Sequence, residues 1–485
     1  MAQGRLRIFL LAGVSLLASP AHADDLRGAL ASAYQTNPAL EAARASQRAV
    51  DESVPIARAS GLPSLSGAAS YTEFLKKSSN SFTSPDRALS GSLSLGVPIY
   101  SGGAVRNSTA AAETRVEAGQ SDLRGSEAGV FSQVVAAYLD VIRDSAVVAL
   151  NRKNVEVLEV NLRATSDRFE IGDLTRTDVA QSQSRLALAR SDTRSAESNL
   201  IASRERYIQV VGKPPINLEP PPPLAGVPGS PDEAVAIALD NNPDLEAAHQ
   251  RSKAAGFDTA AIGANRLPKV SIVASADHTD YLGTLGGASA AGVFAQQSTT
   301  AQAGIRASIP IFQGGLPAAQ RRQAQARENV ALEQEIGAER QVIAQVRSSF
   351  ASSRAANEII VSTQVAVDAA TLSLEGVQAE NSVGNRTILN ILDAQQELLR
   401  AQTQLVAARR NAYVAGFSLL AAMGKAEAED LGLDGGLLYD PDVNYQRVHH
   451  KMSDWSNDPA PVAGATRTVD TPAQNGAIQA QQAGK

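Results

Sequence analysis

The chain has no cysteine among its 485 residues. That excludes a disulfide framework, a thiol nucleophile, a cysteine-held metal and a lipid carried on cysteine. Aromatic residues are scarce at 4%, with a single tryptophan. Together with abundant alanine, this favours thin layers of packed helices over one large globular core. Positive charge is also in short supply: 44 Lys and Arg stand against 50 Asp and Glu. A net charge of −6 argues against nucleic-acid binding, which needs basic patches. Chemistry is missing as well. His249, His278, His449 and His450 lack the carboxylate spacing of a zinc site. The Gly-rich run 283–287 has no Lys-Ser/Thr to cradle a phosphate. No nucleophile stands beside a base, so neither catalysis nor a cofactor is expected.

Residues 1–23 read as a secretory leader. Arg5 and Arg7 give a basic start, Ile8 to Leu17 an apolar centre, and Ala21-His22-Ala23 a small-residue cleavage site. Cleavage before Asp24 removes two arginines and no acid, taking the formal charge from −6 to −8. Beyond the leader no apolar run approaches the ~18 residues of a membrane-spanning helix. An exported chain of this kind can still enter a membrane as a β-barrel.

What is present is a duplication. Asn37-Pro38-Ala39-Leu40-Glu41-Ala42-Ala43 returns as Asn242-Pro243-Asp244-Leu245-Glu246-Ala247-Ala248, and Leu62-Pro63 as Leu267-Pro268. Val97-Pro98-Ile99-Tyr100-Ser101-Gly102-Gly103 returns as Ile309-Pro310-Ile311-Phe312-Gln313-Gly314-Gly315. The offset grows from 205 to 212 between these pairs and then holds to Gly212 and Gly424. The chain therefore divides into repeats 24–212 and 232–425, a linker 213–231, a segment 426–455 and a tail 456–485. The linker holds eight prolines and should be a stiff strap. The tail, rich in Ala, Gln, Gly and Pro, is expected to be disordered.

Each repeat carries two alternating segments. Leu89, Gly91, Leu93, Leu95 and Val97 alternate with Ser90, Ser92, Ser94 and Gly96. Ala301, Ala303, Ile305, Ala307 and Ile309 alternate with Gln302, Gly304, Arg306 and Ser308. Partner strands begin at Leu65 and Val270. Period-two patterning over about 10 residues suits strands with lipid on one side and water on the other. Four strands cannot close a membrane barrel, whose smallest members have about 8, and an open edge in lipid is costly. Several chains must share one barrel, and this pattern admits two, three or four.

After each Gly-Gly comes a helical region of ~65–70 residues, about 100 Å long. Val134, Val141, Val148, Val155, Leu162 and Phe169 recur every seven residues, matched by Val346, Ser353, Ile360, Val367, Leu374 and Asn381. Such a repeat specifies helices coiled around neighbours. The return helix bears two stripes, Ile391, Leu398, Leu405 and Leu392, Leu399, Val406, Tyr413, so it can pack on both flanks. At the turns, Gly172 and Gly384 fit the left-handed position that ends a helix, and Thr175 and Thr387 can cap the next. Asp178 then lies in a first turn, where an acid favours the helix dipole.

The turns Arg168 to Val179 and Asn381 to Ala394, with the Pro-Ile-Tyr-Ser-Gly-Gly and Pro-Ile-Phe-Gln-Gly-Gly segments, resemble the TolC family of outer-membrane efflux channels over about 25–445. The resemblance implies a mixed α and β membrane protein, a homotrimer with a shared transmembrane β-barrel continuous with a coiled-coil α-barrel in the periplasm. Four strands from each of three chains make 12. It implies a passive duct for efflux or type I secretion. A periplasmic adaptor and an inner-membrane pump or ABC exporter would dock at Gly172, Asp173, Leu174, Val383, Gly384 and Asn385. Pro98, Gly102, Gly103, Pro310, Gly314 and Gly315 would join barrel to helices.

It further implies a gate in which Thr177 and Asp178 bond Arg386 across neighbouring hairpins. Asn381 stands where a relative has a gate tyrosine, and Asn390 where it has the first of two constriction aspartates. Asp393 keeps the second. One ring of three carboxylates is therefore expected, with weak block by divalent cations. The competing readings are a secreted coiled-coil rod or adhesin, which needs no paired strands, and a periplasmic adaptor, which needs no duplication.

Overall fold

The computed structural model describes residues 25–76, 84–286, 293–433 and 438–478. The leader expected over residues 1–23 lies outside them. Helices α1 (Leu26–Thr36), α2 (Pro38–Asp51) and α3 (Ser53–Ala59) lead into strands β1 (Ser64–Glu73) and β2 (Arg87–Tyr100). The long α4 (Ala104–Glu170) and return α5 (Arg176–Val211) follow. The second repeat gives α6 (Pro231–Asn241), α7 (Pro243–Gly263), β3 (Lys269–Asp280), β4 (Gln297–Ser308), α8 (Leu316–Ser382) and α9 (Ile388–Ala422), and α10 (Pro441–Val448) closes the series.

The repeated Asn-Pro has a double task. Asn37 accepts from the amides of Ala39 and Leu40, while Asn242 accepts from those of Asp244 and Leu245. Each caps a helix whose proline sits where no amide partner is needed. Their Nδ2 groups donate to Val210 O and Ala422 O, each at 2.9 Å. One side chain thus starts an ascending helix and ties it to the end of the return helix of the same repeat.

α4 and α8 are 67 residues each, about 100 Å at 1.5 Å per residue. Both begin at a left-handed glycine, Gly103 (φ 85°) and Gly315 (φ 83°). The main core lies part-way along them. Phe131, Val134, Tyr138, Leu200, Tyr207, Phe417 and Leu419 pack there with Leu30 and Ala33 of α1 and Ala234 and Ala238 of α6. The proline-rich strap is pinned to this core, since Tyr138 donates to Glu219 O at 2.7 Å. A second cluster toward the far end joins Leu158, Leu186, Ala189 and Leu392. The heptad line is buried at Val134, Val141 and Val148 but exposed at Phe169. α8 leaves Val361, Val365 and Leu372 open, each above 60% exposed.

The four strands form one antiparallel sheet in the order β1-β2-β3-β4, leaving β1 and β4 as edges. The register puts Leu65 opposite Leu95, Leu95 opposite Ala274 and Ala274 opposite Ala303. Ser66, Ser94, Ser275 and Gln302 run across the other face, bonded Ser66–Ser94 (2.7 Å) and Gln302–Ser275 (3.0 Å). One face is thus apolar and the other polar across all four strands. β4 ends at Ser308, so the expected strand position of Ile309 falls just beyond it.

The tail expected to be disordered has no helix or strand over its described part, yet it is docked. Arg152 donates to Gly476 O (3.0 Å), Arg204 to Asn475 O (2.5 Å), and Gln474 N to Glu205 (2.9 Å). Ile478 packs against the main core. Composition alone missed this because the backbone of the tail, not its side chains, supplies most of the bonds.

Candidate functional site

Two places are candidates for function: the sheet, and the hairpin turns ~100 Å from it along the helices. Both turns have the same construction. In the first, Gly172 N donates to Phe169 O (3.0 Å) and Asp173 N to Arg168 O (2.9 Å). In the second, Gly384 N donates to Asn381 O (3.0 Å) and Asn385 N to Glu380 O (2.9 Å). This is the paired bonding that ends a helix at a left-handed residue, and φ is 82° at Gly172 and 83° at Gly384. Both glycines are left-handed, as expected. Ile171 and Val383, at equivalent places in the two turns, stand 80% and 70% exposed.

The residues after each turn start the return helix. Thr175 Oγ1 accepts from Asp178 N, and the Asp178 carboxylate accepts from Thr175 N (2.9 Å) and Oγ1 (2.7 Å). That reciprocal pair is a capping box. The hydroxyl and then the amide of Thr175 hold the Asp178 carboxyl below its ordinary range. Thr387 and Asn390 repeat the arrangement at α9, with Asn390 Oδ1 at 3.1 Å from Thr387 N and 2.8 Å from its hydroxyl.

Within one chain, the residues expected to form a gate make other bonds. Arg386 does not meet Thr177 or Asp178; its Nε donates to Glu380 at 2.6 Å, across its own turn. Asn381 Nδ2 donates to Arg386 O at 2.6 Å, so Asn381 braces the turn from inside. Thr177 is exposed. Asn390 is turned to its cap. Asp393 is bonded by Arg185 Nη2 at 2.6 Å, linking α5 to α9. Asp393, expected to contribute to a ring of carboxylates, is thus half of an ion pair within the chain. Both Glu380 and Arg185 escaped the sequence reading. Glu380 could have been found, because a turn closed at Gly384 brings positions six apart face to face. Arg185 carries no local signal.

At the junctions, Gly102 (φ 65°) and Gly314 (φ 60°) complete the left-handed pairs with Gly103 and Gly315. A Cβ on Gly102 would lie 2.8 Å from Leu267 Cβ, so the β2–α4 junction packs closely on the segment that enters β3. β2 carries a bulge between Pro98 and Tyr100. Aromatic and large apolar side chains stand open at both ends of the sheet: Tyr71 and Phe74 at one, Tyr100, Ile311 and Phe312 at the other.

A family model described as "Outer membrane efflux protein" matches residues 29–213 and again 234–425, which are the two repeats. The chain belongs to that family. The outer membrane efflux protein BepC of Brucella suis is 33% identical over 447 residues, 91% of this chain and 94% of BepC. The outer membrane protein TolC of Escherichia coli is 28% identical, covering 87% of each chain. The crystal structure of VceC from Vibrio cholerae superimposes with a TM-score of 0.69 at 22% identity, over 82% of this chain and 96% of that one, a likeness of fold. The resemblance drawn from the turns and junctions is thereby established, and an isolated coiled-coil rod is set aside.

Proposed function

We propose that three copies of this outer membrane efflux protein assemble into a passive exit duct. Their sheets close into one 12-strand barrel in the outer membrane, and their helices form a tunnel through the periplasm. The observation that carries this reading is the sheet. Its apolar face is continuous over four strands, its polar face equally so, and both edges are open. β1 and β4 run antiparallel, so β4 of one copy can pair with β1 of the next and leave no edge in lipid. Aromatic side chains at both ends fit the girdles of such barrels.

The exposed Val361, Val365 and Leu372 of α8 supply a face for the neighbouring copy, as a helix ring requires. Ile171 and Val383 present an apolar knob at each turn for the adaptor, beside the polar rim of Asp173 and Asn385. Transport energy comes from an inner-membrane pump or ABC exporter behind that adaptor. Opening shifts a population of tip conformations held by surface ion pairs of ~0.2–1 kcal/mol each.

The test is reconstitution of the purified protein in a planar bilayer, with crosslinking from cysteines placed at Asp173 and Asn385. Stepwise conductance and capture of an adaptor are expected. A soluble monomer that passes no ions would refute the duct.

A further inference from the structure

We propose that the loop after α10 is a membrane-surface anchor, with Trp455 at its apex dipping into the periplasmic leaflet of the outer membrane. The proposal rests on the duct reading above for the presence of that membrane and adds a second lipid contact outside the barrel.

α10 climbs toward the sheet beside α2 and α3. Asn444 donates to Asp51 at 2.6 Å near its start, and Arg58 donates to His449 O at 2.7 Å beyond its end. The order of these contacts makes α10 parallel to the α2–α3 path. Arg58 stands only six residues before Ser64, where β1 begins. The next turn touches the top of the trunk: a Cβ on Gly61 would lie 2.8 Å from Val105, the second residue of α4. The end of α10 is therefore at the level where helices give way to strands.

From there the chain does not continue upward. It turns at 453–456, where Ser456 N donates to Ser453 O (3.3 Å), and descends so that Gly464 lies against Glu41 at the base of α2. Asp458 clasps the two legs of the loop, accepting from Arg447 Nη1 (2.7 Å) and Nη2 (2.8 Å) and from Lys451 (3.4 Å). The clasp holds out Met452 and Trp455, which are 73% and 92% exposed.

Two large apolar side chains project from a closed polar loop whose base holds Arg58 and Lys451. Tryptophan seats at the boundary of headgroups and acyl chains, with its ring in the apolar layer and its N–H toward water. Lysine and arginine at the same level meet phosphate. The partner is therefore a phospholipid surface.

Trp455 is the chain's one tryptophan, so its emission reads this site without background. The full-length protein is reconstituted into phosphatidylcholine/phosphatidylglycerol vesicles whose acyl chains are brominated near the headgroup. Conductance of the same vesicles is measured in parallel. The anchor predicts that bromolipid quenches emission at least ~2-fold while aqueous acrylamide quenches little. Asp458→Asn should reverse that order without altering conductance. Conducting vesicles whose emission yields to acrylamide alone place the loop in water and overturn the anchor. Emission that yields to neither quencher places it under a neighbouring copy and overturns it equally. Absence of conductance strikes the duct reading instead, which separates the two failures.

Discussion

Glu127 supplies the sharpest test of how the trunk is held. It lies on α4 and accepts from Ala428 N at 2.5 Å, fastening the segment after α9 to the long helix. Burial, opposed by that amide bond and reinforced by Glu427, raises its pKa from the ordinary 4.5 to about 7. Arg44 and Arg124 pull the other way but more weakly. The sign follows directly. Between pH 4.5 and 7 the folded chain holds a proton that the unfolded chain has lost, so stability falls as pH rises and levels off above the folded value. At ~1.4 kcal/mol per pH unit the full effect is about 3 kcal/mol per chain, and residual solvation brings it to ~1–3. Glu127→Gln keeps the shape and the acceptor but removes the titration. Unfolding of the purified protein, followed by circular dichroism from pH 4.5 to 8, should give matching stability for both variants at the acid end. The wild type should fall progressively behind as pH rises. Parallel profiles across the range would refute the assignment.

Gly212 and Gly424 occupy equivalent places, and alanine should separate them. Both need φ above +70°, a strain of ~1–2 kcal/mol. At Gly212 the new Cβ meets only the hydroxyls of Thr36 and Thr466, at 2.9 and 3.0 Å, whereas at Gly424 it runs into the Asn241 carbonyl. Gly424→Ala should therefore cost well above the ~1–2 kcal/mol of Gly212→Ala in denaturant midpoints, and equal losses would contradict the packing. Arg185→Ala should free Asp393 and strengthen calcium block of single-channel conductance, while the wild type is blocked weakly. Strong block in both would show that the pair does not neutralise the acid. Arg386→Ser should raise resting conductance with the trimer intact, because the turn loses its ~0.2–1 kcal/mol pair with Glu380 in every copy. Unchanged conductance would take Arg386 out of the proposed gate.

The strands and turns were legible because each depends on neighbours in sequence. Alternation located β1 to β4 within a few residues, and a glycine followed three residues later by threonine located both helix ends. The side-chain partners at the tip were not legible. Arg386 had acids available on its own turn and on another hairpin, and only geometry puts Glu380 nearest. Asn390 could be read as a pore residue or as the third residue of a helix, and its bonds to Thr387 show only that it also caps α9. The docking of 474–478 was hidden for a different reason. Gln474 N and the carbonyls of Asn475 and Gly476 belong to the backbone, which composition does not distinguish.

If the sheet enters the membrane as proposed, its two bare strand edges also constrain biogenesis. A lone chain meeting the bilayer would have to bring unsatisfied amides and carbonyls into hydrocarbon, so insertion must wait for, or coincide with, the meeting of copies. The rate of arrival in the membrane should then climb more steeply than the supply of newly exported polypeptide. A chain able to dock with its siblings but unable to complete the ring would sequester sound copies, making such a defect dominant in a cell that also carries the normal gene.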